Sequence, residues 1–259
     1  MPRFWLTHGE GPLSDTAFHI HGSDRTSRWL VMVDHATNRV PDWVNGGDLG
    51  LQAADMARHI AFDPGALGFA LALGDALGAT VVSSDFSRLV IDPNRGEDDP
   101  TLLMRLYDGS VIPANRAAGA DERERRLDRL HRPYHRAVEA LAARRSDTVL
   151  CSIHTFTPQL RGRPPRPWQV GILSSPRDTR LTSAVLRRLS RESDLTVGDN
   201  QPYTGDLPGD SIDRHGLAPG RPNVLVEIRN DLLPDAKAQR HWAGRIAPAL
   251  TGGLAEAGL

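Results

Sequence analysis

One cysteine, one lysine and no surplus charge of either sign are the plainest gaps in this 259-residue chain. Cys151 has no second thiol to pair with, so an internal disulfide is excluded. With 31 basic and 32 acidic side chains the net charge is -1, and no broad field draws polyanions. Nucleic-acid binding therefore has no compositional support. No apolar run approaches the ~18 residues that cross a bilayer, and the mean hydropathy is -0.37. The opening MPRFWLTHGE holds no apolar stretch of the signal-peptide kind. The expectation is a soluble cytoplasmic protein with no membrane or nucleic-acid partner. Lys237 stands alone among arginines, a skew read as coding bias, so each arginine is judged by its position.

What is present alternates between short β-rich runs and longer helical ones, with no repeat and no low-complexity tract. A single domain over 1–259 is expected, since α/β sheets often reach this size intact. Trp29–Val33 is a near-continuous apolar run, as in a strand covered on both faces. A helix is expected over Asp48–Ile60. A second starts near Asp63 and Pro64 and stops at Gly78. Strands follow at Ala79–Val82 and, in β-like pattern, Ser87–Asp92; residues 96–120 read as a long loop. Asp121–Arg145 is the strongest helix, with Pro133 expected to kink it unless two helices meet there. Strands at Thr148–Ile153, Trp168–Leu173, Leu195–Val197 and Asn223–Ile228 alternate with helices near Arg177–Ser193 and Pro234–Leu250. A polar loop spans 199–222. Such alternation predicts a mostly parallel sheet with helices on both faces and ligands beyond the carboxyl ends of its strands.

Those strand ends carry chemistry. His35 follows the first strand, His154 follows the 148–153 strand, and Glu227 lies near the end of the last. Arg88 and the run Asp92-Pro93-Asn94-Arg95 follow a β-like segment. Two imidazoles and a carboxylate on one rim suit a catalytic zinc, which needs about three protein ligands and an open position. Each residue also has a plainer reading. A lone strand-end histidine is more often structural. Glu227 also reads as half of a buried ion pair with Arg229 or another arginine, and Arg88 and Arg95 as ordinary surface or paired cations.

Four segments carry a resemblance. They are Asp34-His35-Ala36-Thr37-Asn38-Arg39-Val40-Pro41, Ser87-Arg88-Leu89-Val90-Ile91-Asp92-Pro93-Asn94-Arg95, Pro133-Tyr134-His135 leading to Ile153-His154-Thr155-Phe156, and Val226-Glu227-Ile228-Arg229. In this order the chain resembles the N-formylglutamate amidohydrolases (N-formylglutamate deformylases). The resemblance implies an α/β three-layer sandwich with a mixed, mostly parallel sheet, like that of zinc carboxypeptidases and aspartoacylase-type hydrolases. It implies a Zn2+ or similar divalent cofactor held by His35 and His154. It also implies that Arg88, Asn94 and Arg95 bind a small carboxylate substrate and that Glu227 is the general base. Glu227 would take a water proton and later pass it to the leaving nitrogen, with Arg88 assisting at the oxyanion. The reaction implied is hydrolysis of N-formyl-L-glutamate to formate and glutamate, a step in histidine breakdown.

One departure stands out. The family places a glutamate ligand three residues after the first histidine, where this chain has Asn38. Either Asn38 coordinates, or another carboxylate replaces it, with Asp63 first and Asp34 and Asp85 behind, or the site is weakened. Asp63 reads equally as the N-cap of its helix. His131 and His135 lie four apart on one helix, a spacing that can bind metal but reads more readily as packing. His215 is a candidate substrate or oxyanion contact in a polar loop, or a plain loop histidine. Two alternatives stay open: a hydrolase of another N-acyl amino acid or small peptide, and an amino-acid-binding protein weakened by Asn38.

Overall fold

The computed structural model describes residues 16–259, so the segment scanned for a signal peptide lies outside the described residues. Nine strands are formed among the described residues: β1 (Phe18–His21), β2 (Trp29–Val33), β3 (Thr80–Ser84), β4 (Leu106–Tyr107), β5 (Ser110–Val111), β6 (Val149–Phe156), β7 (Val170–Leu173), β8 (Val197–Asp199) and β9 (Asn223–Arg229). The α-helices are α1 (Ala53–Met56), α2 (Ala66–Leu77), α3 (Pro113–Arg116), α4 (Ala120–Arg126), α5 (Arg132–Ala142), α6 (Arg180–Leu189) and α7 (Ala236–Glu256).

Seven strands make one sheet in the order β1-β3-β2-β6-β9-β7-β8. The centre, β3-β2-β6-β9, is parallel throughout. The mixed character comes from β1, antiparallel to β3, and from β7, antiparallel to β9. The fold is thus an α/β sandwich with a mixed, mostly parallel sheet.

The pleat sorts residues by parity. Trp29, Val31 and Val33 of β2, Cys151 and Ile153 of β6, and Val224, Val226 and Ile228 of β9 pack with Phe69 and Leu73 of α2, Val185 of α6 and Ile246 and Leu250 of α7. Alternate residues Leu30, Met32, Leu150 and Leu225 pack with Leu130, Tyr134, Val138 and Leu141 on the other side. Both faces are covered, which is why the central strands read as unbroken apolar runs. Each such buried aliphatic side chain contributes about 1.5–3 kcal/mol.

Four expectations need correction. The helix expected over Asp48–Ile60 shrinks to α1. Carbonyls that a longer helix would use are taken elsewhere: Met56 O accepts from Asn38 Nδ2, and Ala61 O accepts from Arg88 N–H and Ser87 Oγ. The second helix starts at Ala66 with Gly65 as its N-cap, and Asp63 makes no cap bond there. Ser87–Asp92 is a turn and not a strand. Its backbone bonds to Arg39 O and Leu102 O, and the buried side chains of Asn115 and Arg126 satisfy the carbonyls of Leu89 and Val90. The 96–120 loop contains the β4–β5 hairpin, turned at Asp108-Gly109 with φ of 44° and 81°. At Pro133 two helices meet: a π-turn over Leu127–His131 joins α4 to α5. There the Arg132 N–H bonds Leu127 O, so the proline ring is accommodated without breaking the rod.

Candidate active site

Because β2, β6 and β9 are parallel, their carboxyl ends share one rim. β6 and β9 pair with His154 directly opposite Glu227. β2 runs into Asp34 and His35. By parity Asp34, His154 and Glu227 stand on the Leu30–Leu150–Leu225 face, where α5 packs. Asp63 comes from another direction: its N–H bonds His35 O at 2.9 Å, which ties the segment before α2 to the end of β2.

The two rings then meet around one carboxylate. His35 Nδ1 lies 3.4 Å and His154 Nδ1 3.1 Å from Asp63 Oδ2. One ligand atom from each of these three residues falls within 4.8 Å of the others. All three side chains are buried. The far nitrogens face a second layer of acids. His35 Nε2 is 2.7 Å from Asp92 Oδ1, and His154 Nε2 is 3.3 Å from Asp34 Oδ2. Asp34 Oδ1 accepts from Tyr134 Oη at 2.7 Å and Ser211 Oγ at 2.8 Å. Asp92 Oδ2 accepts from Arg88 Nε and Nη2, and its Oδ1 accepts from the Asn94 N–H. Histidines braced by carboxylates, each turning its other nitrogen to a common point, are the arrangement of metal-ligating imidazoles.

The electrostatics follow from this packing. Burial alone would raise the Asp63 carboxyl, but His35 and His154 overcome it and hold it well below the ordinary range. Asp34 is likewise pushed up by burial and pulled lower by His154, His35 and Tyr134. Burial opposes the Arg88 charge, and Asp92 with Asp63 keeps its guanidinium protonated. Glu227 differs: burial pushes its carboxyl up to about 7, and Oε2 has no hydrogen-bond partner among the described residues.

His35, Asp63, Arg88, Asn94, Arg95, His154 and Glu227 all line one cleft of about 280 Å³. Tyr107 of β4 covers Arg88, its ring centroid 5.6 Å from the guanidinium carbon. Arg95 is held by Thr101 Oγ1 and by its neighbour's carbonyl, and Asn94 Oδ1 accepts from the Ser211 N–H. A larger hollow of about 500 Å³ between residues 98–105 and 118–123 holds no histidine, so chemistry and not volume marks the site.

Two residues expected here are elsewhere. The Asn38 amide nitrogen donates to Met56 O at 2.8 Å, and Asn38 is not among the residues that line the cleft. His215 does not line the cleft. Its Nε2 meets His135 Nδ1 at 2.9 Å and its Nδ1 lies 3.3 Å from Glu139. His135 and His131 in turn bond the carbonyls of Pro93 and Arg95, so this histidine row braces the loop that carries Asn94 and Arg95. Asp85 pairs with Arg39 and His19. Glu227 forms no pair with Arg229, which bonds Asp231.

Two imidazole nitrogens and a carboxylate oxygen converging on one point, with His35 Nδ1 buried and otherwise unpartnered, fit a divalent cation such as zinc. A model of the N-formylglutamate amidohydrolase family matches residues 27–233.

The chain belongs to the N-formylglutamate amidohydrolase family.

Over 118 residues it is 33% identical to an N-formylglutamate deformylase of Pseudomonas putida, a match that covers 41% of this chain and 42% of that protein. The chain thus spans less than half the length of the curated relative it matches. A gene product of Agrobacterium tumefaciens has a solved structure with TM-score 0.88 and 32% identity, over 95% of this chain and 97% of that one. The N-formylglutamate amidohydrolase of Ralstonia eutropha JMP134 shares the fold, with TM-score 0.57 and 22% identity over 93% and 97%.

In this family member, sequence reasoning assigned no role to Asp92, Tyr134 or Ser211. Asp92 closes a segment already singled out, two residues before Asn94. Parity on β2 could have placed Asp34 beside His154.

Proposed function

We propose that this protein is a metal-dependent amidohydrolase that removes the acyl group of an N-acyl amino acid, with N-formyl-L-glutamate as the first substrate to test. The observation that carries this reading is the His35–Asp63–His154 cluster beside the unpaired carboxyl of Glu227 in one cleft. His35, Asp63 and His154 would hold the cation, which supplies a Lewis acid for the carbonyl and lowers the pKa of water. Asp92 and Asp34 fix the two rings from behind, and Tyr134 and Ser211 fix Asp34.

Glu227 takes the proton of the attacking water, helped by its rise to about 7, near the optimum for a base working in neutral solution. Arg95 grips a substrate carboxylate and Asn94 completes its cradle. Arg88 faces the cleft with Nη1 3.6 Å from Asp63 Oδ1, in place to balance negative charge that develops on the carbonyl oxygen. The water oxygen forms the new bond to the acyl carbon, the C–N bond breaks, Glu227 passes its proton to the leaving nitrogen, and the products from N-formyl-L-glutamate are formate and glutamate. Asp63, beside His35 and His154, supports a carboxylate in the place of the ligand that Asn38 lacks, which favours an enzyme over a weakened binding protein.

Metal analysis of purified protein, combined with formate release from N-formyl-L-glutamate, tests the reading. Stoichiometric divalent metal with turnover that a chelator abolishes is expected. A metal-loaded protein that releases no formate from any N-formyl amino acid refutes it.

A further inference from the structure

Five acids are buried among the described residues: Asp34, Asp63, Asp92, Asp210 and Glu227. A buried carboxylate needs a partner or gives up its charge. Asp34, Asp63 and Asp92 have histidine or arginine partners. Asp210 and Glu227 form no ion pair among the described residues, and both line the same cleft. Asp210 Oδ1 accepts from the Asp213 N–H at 2.7 Å, while its second carboxyl oxygen has no partner among the described residues.

The backbone that delivers Asp210 is fixed on both sides. Gly209 has φ of 79°, and a side chain there would come within 2.9 Å of Gly96 Cα, so this turn requires glycine. Ser211, next along, bonds Asn94 through its N–H and Asp34 through its hydroxyl. Burial pushes the Asp210 carboxyl up to about 6, against the pull of the Asp213 N–H. Two buried carboxyls without ion-pair partners thus share one cleft, so proton donor and proton acceptor can be different groups.

We propose that Asp210 is a second catalytic carboxyl, which donates a proton to the nitrogen of the scissile amide while Glu227 accepts one from the attacking water. This rests on the amide-hydrolysis reading above and divides between two residues what one glutamate would otherwise do alone. The water oxygen bonds the acyl carbon and its proton passes to Glu227. The C–N bond breaks and its electron pair takes the proton of Asp210. Glu227 then holds one proton more and Asp210 one fewer, and exchange with solvent resets both.

The test compares Asp210→Asn and Asp210→Ser with the wild type, both keeping an oxygen for the Asp213 N–H. The substrates are N-formyl-L-glutamate and the formyl ester of the matching 2-hydroxy acid, whose oxygen leaves with far less need of a proton. Amide turnover should fall about 10²-fold or more. Ester turnover should fall by less than about ten-fold by the same reasoning, with metal content and thermal midpoint unchanged. Equal losses on both substrates, no loss on the amide, or loss of metal would overturn the proposal. Failure of the parent reading shows separately, as a wild-type protein that cleaves neither substrate, and it takes this proposal with it.

Discussion

The same three strands present two unlike faces. Toward α2, α6 and α7, strands β2, β6 and β9 offer apolar side chains throughout, apart from Thr155 near the end of β6. Toward α5 they begin the same way, with Leu30, Leu150 and Leu225, and then change to Asp34, Ser152, His154 and Glu227 near their carboxyl ends. One face stabilises the sheet and the other turns chemistry toward a cleft, although neighbouring residues differ by a single step along the chain. The pleat makes this separation, and it makes the consequences of mutation separable as well.

The largest effect should come from His154→Ala. Metal content by plasma emission spectroscopy and formate release should vanish together, and retained metal would remove His154 from the ligand set. Glu227→Gln, on the same face, should keep its metal and lose about 10²–10⁴-fold in turnover. In the wild type, kcat/KM should fall as pH drops through the titration of Glu227, because the base must be ionised; burial raises its pKa to about 7. A cation beside it would draw that limb to lower pH, and the glutamine variant should show no such limb. One residue before His154, on the opposite face, Ile153→Ala should leave kcat near normal and cost about 2–5 kcal/mol in denaturant unfolding. A loss of turnover without loss of stability there would erase the contrast between faces. Smallest is Asp92→Asn, which should weaken metal affinity about 10–100-fold, read by competition with a chelating dye. Unchanged affinity would mean that Asp92 serves Arg88 alone.

How much of this was legible before the fold is uneven. The central strands announced themselves as apolar runs, and the rule that parallel strands end on one rim brought His35, His154 and Glu227 together. Asp63 was harder, because a carboxylate just before a helix reads as a cap until the N-cap is seen to be Gly65 and Asp63 Oδ2 to take the Thr155 N–H. Ser87–Asp92 looked like a strand because its residues are buried and branched. It is a turn because Asn115, Arg126 and Leu102, all later in the chain, satisfy its polar groups. Asp108-Gly109 was a hairpin signal that the long-loop reading passed over. Asp210 gave no local sign at all, since what singles it out, a buried carboxyl without an ion-pair partner in the cleft of Glu227, is a property of the folded neighbourhood.

The central claim is that His35, Asp63 and His154 bind one cation. An anomalous-difference map from crystals of zinc-loaded protein, collected on either side of the zinc absorption edge, tests it most directly. A single strong peak between the three side chains, with Glu227 on its open side, is predicted. A peak at another cluster, or none at full zinc loading, would contradict it.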